Sequence, residues 1–454
     1  MTTTTRTRAR LAPVVLLAGM TLVLPGCAGF GSLGNQPGVT TVTFASVNNP
    51  QMQDLAQLIP EFERAHPDIK INTLMMEEND LRNAATKDVA TAGGQYDVMT
   101  VGLYEVPIWG QNDWLVDLTD LAGEDPSYDA EDIFEPVLDG VSYDDRYYAM
   151  PFYGESSFLM YRKDLFEAAG IEMPERPTWQ QVADFAKQLK TPDRAGICLR
   201  GKPGWGEMFA PLSTIVNTYG GQWYDENWNA QVNAPGFHRA VEFYLNTLEE
   251  SGEPDPVSYG FTECLNLVTG GGAAMWYDAT SAAGSLESGP NKGNFGYVRA
   301  PVDQTDESGW LWSWNLGINA SVNADPAKKA AAWEFVKWAT SKEYVQLAGE
   351  RMGWARVPSG TRESTFEIPD YQASGEAFAP LTAEIIQEVD PKQPGIAPQP
   401  WIGIQYVTIP EFQDVGNQTS QLVADVIAGR RDLDGALNDA QAIAQRAGDK
   451  QKQQ

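Results

Sequence analysis

Histidine and cysteine are scarce in this chain. It has two histidines, His66 and His238, and three cysteines, Cys27, Cys198 and Cys264, in 454 residues. Neither histidine lies in a cluster with metal-ligand spacing, which argues against a metal centre. A cysteine nucleophile is equally unsupported. Positive charge is short as well: 32 Lys and Arg stand against 61 Asp and Glu, for a formal net charge of −29. Such a surface repels phosphates, which argues against nucleic acid as a partner and against lying flat on anionic lipid. The glycine-rich loop Gly201-Lys-Pro-Gly-Trp-Gly206 lacks the Gly-Lys-Ser/Thr ending of a phosphate loop. No internal repeat is present, and the notable apolar run, Leu11 to Leu24, lies near the N-terminus.

That run follows Arg6, Arg8 and Arg10, the pattern of a targeting segment, and it is too short for an ordinary membrane span. It ends in Leu24-Pro-Gly-Cys27, which resembles a bacterial lipobox with Pro25 as a departure. The expectation is a signal peptide over 1–26, a lipid-modified Cys27 and a flexible tether over 27–38. Losing residues 1–26, with their three arginines and no acid, takes the charge from −29 to −32. Cys198 and Cys264 then remain, and an extracytoplasmic setting permits a disulfide between them.

The length suggests two or more structural units. Val39 to Ser46 alternates like a strand, Pro50 stands at a helix N1 position, and Asp68 to Leu74 reads as a second strand. A helix with Leu81 to Ala92 and a third strand, Tyr96 to Val101, complete the rhythm of an open α/β sheet. Ligands in such sheets bind beyond the carboxyl ends of the strands, which picks out Ser46–Asn49 and Gly102–Glu105. Thr178 and Gln181 form a capping box, and the tail from Gln441 reads as frayed. The stretch Ala149 to Phe166 combines the breakers Pro151 and Gly154, the carboxylate Glu155 and a short apolar run, Phe158 to Tyr161.

Taken in order, the lipobox, Glu61 to Lys70, Tyr96-Asp-Val98, Pro151 to Phe166 and Ile171 to Trp179 resemble the family 1 extracellular solute-binding proteins of ABC sugar importers. Glu77 to Arg82, Gly102 to Trp109 and Met275 to Thr280 are similar more narrowly to the sorbitol/mannitol branch. The resemblance implies a two-lobe, type II periplasmic-binding-protein-like α/β fold with a ligand cleft. Lobe 1 is expected over 39–150 plus 313–355, and lobe 2 over 151–312 plus 356–454. Hinge crossings are expected at Met150–Phe152, Trp312–Ser313 and Arg356. It also implies capture of a polyol or small sugar without covalent chemistry or cofactor. The product would be an exported, lipid-anchored monomer that docks on membrane permease subunits.

A polyol offers hydroxyls that donate and accept, so carboxylates, amides, arginine and aromatic faces suit it. The residues expected at the site are Asn48, Tyr104, Glu105, Glu155, Trp205, Trp276, Asp278, Trp314 and Arg356. Each has a structural alternative: Asn48 begins a helix, Glu105 is a solvated loop carboxylate, Arg356 bridges the hinge. Trp205, between glycines, is expected as an exposed platform. Trp312 is expected to share a face with Trp314. Two other functions stay open: a secreted glycoside hydrolase using pairs from Glu105, Glu155 and Asp278, and an adhesin or scaffold.

Overall fold

The computed structural model of the protein describes residues 38–305 and 309–453. The expected signal peptide, Cys27 and the tether to Pro37 lie outside the described residues. The strands are β1 (Thr40–Val47), β2 (Ile69–Met76), β3 (Val98–Gly102), β4 (Ser142–Tyr143), β5 (Arg146–Tyr147), β6 (Ala149–Glu155), β7 (Ser157–Arg162), β8 (Ala195–Cys198), β9 (Ala273–Ala279), β10 (Phe295–Arg299) and β11 (Trp312–Ile318). They build a five-stranded sheet in the order β2-β1-β3-β11-β6 and a four-stranded sheet in the order β10-β7-β9-β8, with β4–β5 as a separate hairpin.

Local chemistry accounts for the first sheet. β1 pairs in parallel with β2 and β3, so each connection is a crossover helix. The first, Pro50–Ala65, starts at Asn49, whose side-chain oxygen accepts the Met52 N–H at 3.0 Å. Met52, Leu55, Leu58, Ile59 and Phe62 form its buried stripe. The capping box at Thr178 and Gln181 is present as well, on the helix Trp179–Leu189 beside the second sheet.

β6 and β7 join different sheets with Ser156 alone between them. The expected crossing at Met150–Phe152 therefore moves to Ser156. Pro151 remains inside β6 because β11 shifts register there, pairing Trp314 with Tyr153 and Asn315 with Pro151. A bulge suits a residue that cannot donate to the ladder. β11 likewise begins at Trp312 within the first sheet, so its crossing precedes that residue. The third connection passes against β6: the Gly154 N–H donates to Ser359 O at 2.9 Å. A Cβ on Gly154 would lie 2.0 Å from Gly360 O, and one on Gly360, whose φ is +76°, would lie 2.1 Å from Gly154 O. Two glycines let these backbones touch.

The second sheet carries a disulfide between Cys198, at the end of β8, and Cys264 on the helix Phe261–Thr269. At a sequence separation of 66, loop closure alone corresponds to about 4 kcal/mol. The tail is not frayed. The helix Leu433–Gln451 docks through Gln441, which accepts the Val232 N–H at 2.8 Å, and through Ala444 O, which accepts the Tyr224 hydroxyl at 3.0 Å. Ala436, Leu437, Ala440, Ala444 and Ala447 add a buried stripe of mostly small residues at helical spacing.

Gly154→Ala is expected to lower stability by roughly 2 kcal/mol or more, because the obstructing atoms are backbone. Gly123→Ala, where nothing lies within 4 Å of the added carbon, is the matched control in a denaturant titration. Equal midpoints for the two variants would contradict the close approach.

Candidate functional site

A narrow cleft of about 60 Å³ lies among side chains from both sheets and their loops. Val47, Asn48 and Asn49 reach it from the end of β1, as expected of a strand carboxyl end. Asn49 couples two elements: besides capping its helix, its Nδ2 donates to the Tyr153 hydroxyl at 2.9 Å. That bond sets Tyr153, also a wall residue, beside the cleft.

Two arginines dominate the walls. Arg82, on the helix Glu78–Ala90, donates through Nε and Nη2 to Glu78 Oε1 at 3.1 and 2.9 Å, and through Nη1 to Glu105. Its guanidinium lies 4.3 Å from the Trp205 ring centre, 4.8 Å from that of Trp314 and 5.0 Å from that of Trp312. Arg200, just past β8, donates through Nε and Nη2 to Asp278 at 2.8 and 2.5 Å, and through Nη1 to Gly206 O at 2.9 Å. Both are buried, and bidentate pairing satisfies a buried guanidinium best.

Glu155 ends β6 at the cleft, buried, with Oε2 accepting the Ser281 hydroxyl at 2.5 Å. Burial pushes its carboxyl up to about 8; Ser281 and Arg200 pull it down, while Asp278 and Glu78 add to the rise. Glu78 is also raised, by burial first, despite Arg82. Two further wall residues hold buried polar atoms without a hydrogen-bond partner: the donor Trp205 Nε1 and the acceptor Gln405 Oε1. Such orphans are rare in folded chains.

Of the expected residues, Asn48, Glu155, Trp205 and Trp314 come together at the cleft. Asn48 is exposed, with its Oδ1 accepting from Gln53 Nε2 at 2.9 Å. Trp205 is no exposed platform: it is 1% accessible and packed between Arg82, Tyr104 and Trp312. Trp312 lines the cleft with Trp314, ring centres 5.5 Å apart.

The others fall outside the cleft wall. The Tyr104 hydroxyl donates to Ile409 O at 3.0 Å and accepts the Gln413 N–H at 3.1 Å, as a packing residue does. Glu105 is neither solvated nor at the wall; it holds Arg82. Trp276 is fully buried and donates to Asp278 at 3.0 Å, and Asp278 in turn holds Arg200. Arg356 forms a bidentate pair with Asp54 at 2.8 and 2.6 Å, beside a separate crevice. With Glu105 and Asp278 tied to arginines behind the wall, two of the three carboxylates considered for glycoside hydrolysis do not face the cleft.

Arg82, Arg200, Glu78, Glu207, Tyr153 and Gln405 escape the sequence reading. Arg82 had a signal: Glu78 and Arg82 stand four apart on one helix face, within a stretch already singled out. Gln405, in an irregular segment, had none.

Residues 47–346 match the family described as bacterial extracellular solute-binding protein. The chain is 42% identical over 411 residues to the mannitol-binding protein of Pseudomonas aeruginosa, covering 89% of this chain and 92% of that one. It is similar to an ABC transporter solute-binding protein of Agrobacterium vitis S4, solved with bound D-mannitol. There the TM-score is 0.87 at 43% identity, over 90% of this chain and 99% of the other. A homologue from Agrobacterium radiobacter K84 in complex with ribitol gives a TM-score of 0.80 at 27% identity, over 90% and 98%.

The Glu155 environment yields a pH dependence. Its ordinary value is 4.5 and its folded value about 8. Between these limits the folded state keeps a proton that the unfolded state has lost, so this group's contribution is fully present below about 4.5. It declines as pH rises to about 8 and is level above. Glu155→Gln does not ionise and lacks that decline. The variant's melting temperature minus that of the wild type is expected to grow from about pH 4.5 to about pH 8, by the equivalent of a few kcal/mol. A difference that is constant with pH would refute the protonated carboxyl. Titrating groups that do not interact with Glu155, such as Glu253, are common to both proteins and cancel.

Proposed function

The chain belongs to the bacterial extracellular solute-binding protein family, and from that premise we propose that it captures a short linear sugar alcohol between closing lobes and delivers it to the permease of an ABC importer. One observation carries the ligand class. Trp205 and Gln405 line a cleft of about 60 Å³, and each holds a buried polar atom without a partner, the donor Nε1 and the acceptor Oε1. A hydroxyl accepts from the first and donates to the second. The narrow space suits a chain of a few hydroxymethylene units. Trp205, Trp312 and Trp314 supply faces for its C–H groups. The similarity to mannitol- and ribitol-binding relatives supports the same class.

In this reading lobe 1 comprises 39–155 with 312–355 and lobe 2 comprises 157–311 with 356–454, and parting of the lobes admits ligand. Among the described residues no helix is long and apolar enough to cross a membrane. The lipobox-like Leu24-Pro-Gly-Cys27 supports attachment through Cys27, lipid-modified after removal of residues 1–26, with the tether to Gly38 reaching a monomeric binding unit. Its high negative charge keeps nucleic acid away.

In a thermal-shift panel of mannitol, sorbitol, ribitol, glucose and maltose, a linear polyol is expected to raise the melting temperature most. At a hundred times Kd the gain is about 2.7 kcal/mol. A larger shift with maltose would sink the polyol assignment. Trp205→Phe keeps a ring but removes the donor, and is expected to raise Kd for the best polyol about tenfold, or ~1.4 kcal/mol. Unchanged affinity would remove Trp205 Nε1 from the ligand's partners.

A further inference from the structure

Every cation at the cleft is already engaged. Arg82 uses Nε, Nη1 and Nη2 on Glu78 and Glu105. Arg200 uses the same three nitrogens on Asp278 and Gly206 O, with Glu207 3.5 Å away. Lys202, near the rim, is shared between Glu77 at 2.9 Å and Glu207 at 3.3 Å. The carboxyl left over is Glu155. Its partner in the structure is the neutral Ser281 hydroxyl, and it forms no ion pair among the described residues. The groups that face it are few. Glu78 comes from the helix Glu78–Ala90, Asp278 from β9, Arg200 from the end of β8, and the Tyr153 hydroxyl from its own strand. Ser281 sits on the turn after β9. Gln51, from the helix Pro50–Ala65, donates to Ser281 O at 3.0 Å. On that helix Asp54 is neutralised by Arg356. The other acids around the cleft share these cations, and Glu155 is the one with no cationic partner among the described residues.

We propose that this cleft accepts amino-polyols, in which one hydroxyl is replaced by an ammonium group, and excludes polyol carboxylates, with Glu155 as the residue that discriminates. The inference rests on the polyol reading above. A ligand carboxylate finds no free guanidinium or ammonium, and would lie among Glu78, Glu155 and Glu207 in a site where like charges are poorly screened. A ligand ammonium finds the reverse. Glu155 gives up its proton to the solvent, and the carboxylate so formed pairs with the incoming cation: Glu155–COOH and ligand–NH3+ become an ion pair plus one released proton. No other group changes charge. A hydroxyl at the same place leaves the proton on Glu155, which then donates to the ligand oxygen.

The test uses three ligands of one carbon length: mannitol, 1-amino-1-deoxymannitol and mannonate. Each is titrated calorimetrically into the purified protein near pH 7, in two buffers of different ionisation enthalpy. Mannitol and the amino-polyol are expected to bind within about tenfold of one another, and mannonate at least ~100-fold more weakly. The amino-polyol is expected to release close to one proton and mannitol none. Glu155→Gln is expected to lower the ratio of amine to mannitol affinity at least tenfold, whatever happens to the absolute values. Mannitol binding with the amine excluded, with mannonate admitted, without proton release, or with an unchanged ratio in the variant overturns this inference and leaves the polyol reading standing. Failure of all three ligands overturns this inference, and the polyol reading falls with it only if sorbitol and ribitol fail as well.

Discussion

A buried guanidinium cannot shed its charge, so the protein around it must answer that charge. Arg82 and Arg200 impose this demand on both sides of one cleft, and Glu105, Glu78 and Asp278 meet it. Each arginine is thereby fixed in direction before any ligand arrives. Ion pairs of this kind add little net stability compared with apolar packing, because both partners leave water. What they provide is position. Trp276 braces Asp278, Tyr244 holds the Arg200 carbonyl, and Trp205 covers Arg82. Much of the aromatic content supports this polar wall.

The second constraint is the path between the sheets. One residue, Ser156, separates β6 from β7, and Gly154 touches Gly360 where a later segment crosses. Glu155 stands between that contact and that step. It therefore belongs to the connection and to the cleft at once. The disulfide lies elsewhere, within the second sheet's surroundings, joining β8 to the helix Phe261–Thr269. It stiffens that unit and leaves the connecting segments unstapled.

Much of the fold is legible in the sequence because its signals are local. Asn49 and Pro50 start a helix, Thr178 and Gln181 box another, and β-branched alternation marks β1. Position near the cleft is also legible, since strand ends lead there. Direction is not. Glu105 and Asp278 both sit where a ligand carboxylate belongs, and both turn to an arginine instead. Those arginines come from distant parts of the chain, and no spacing rule links residue 82 to 105 or 200 to 278. Pro151 misplaced the crossing for a similar reason: its turn signal was absorbed by a bulge opposite β11. The frayed reading of the tail failed because an alanine-rich stripe is buried there and amide side chains add bonds to it.

Three indoles surround Arg82, and they do not all belong to the same half of the molecule. Trp312 and Trp314 ride on β11 of the first sheet, whereas Trp205 arrives on the glycine-rich loop that follows β8 of the second. Trp205 and Trp312 have ring centres 5.8 Å apart, edge to face. Any change in the separation of the two sheets alters the polarity and quenching around all three. These three of the chain's 14 tryptophans therefore sense the packing of one sheet's residues against the other's.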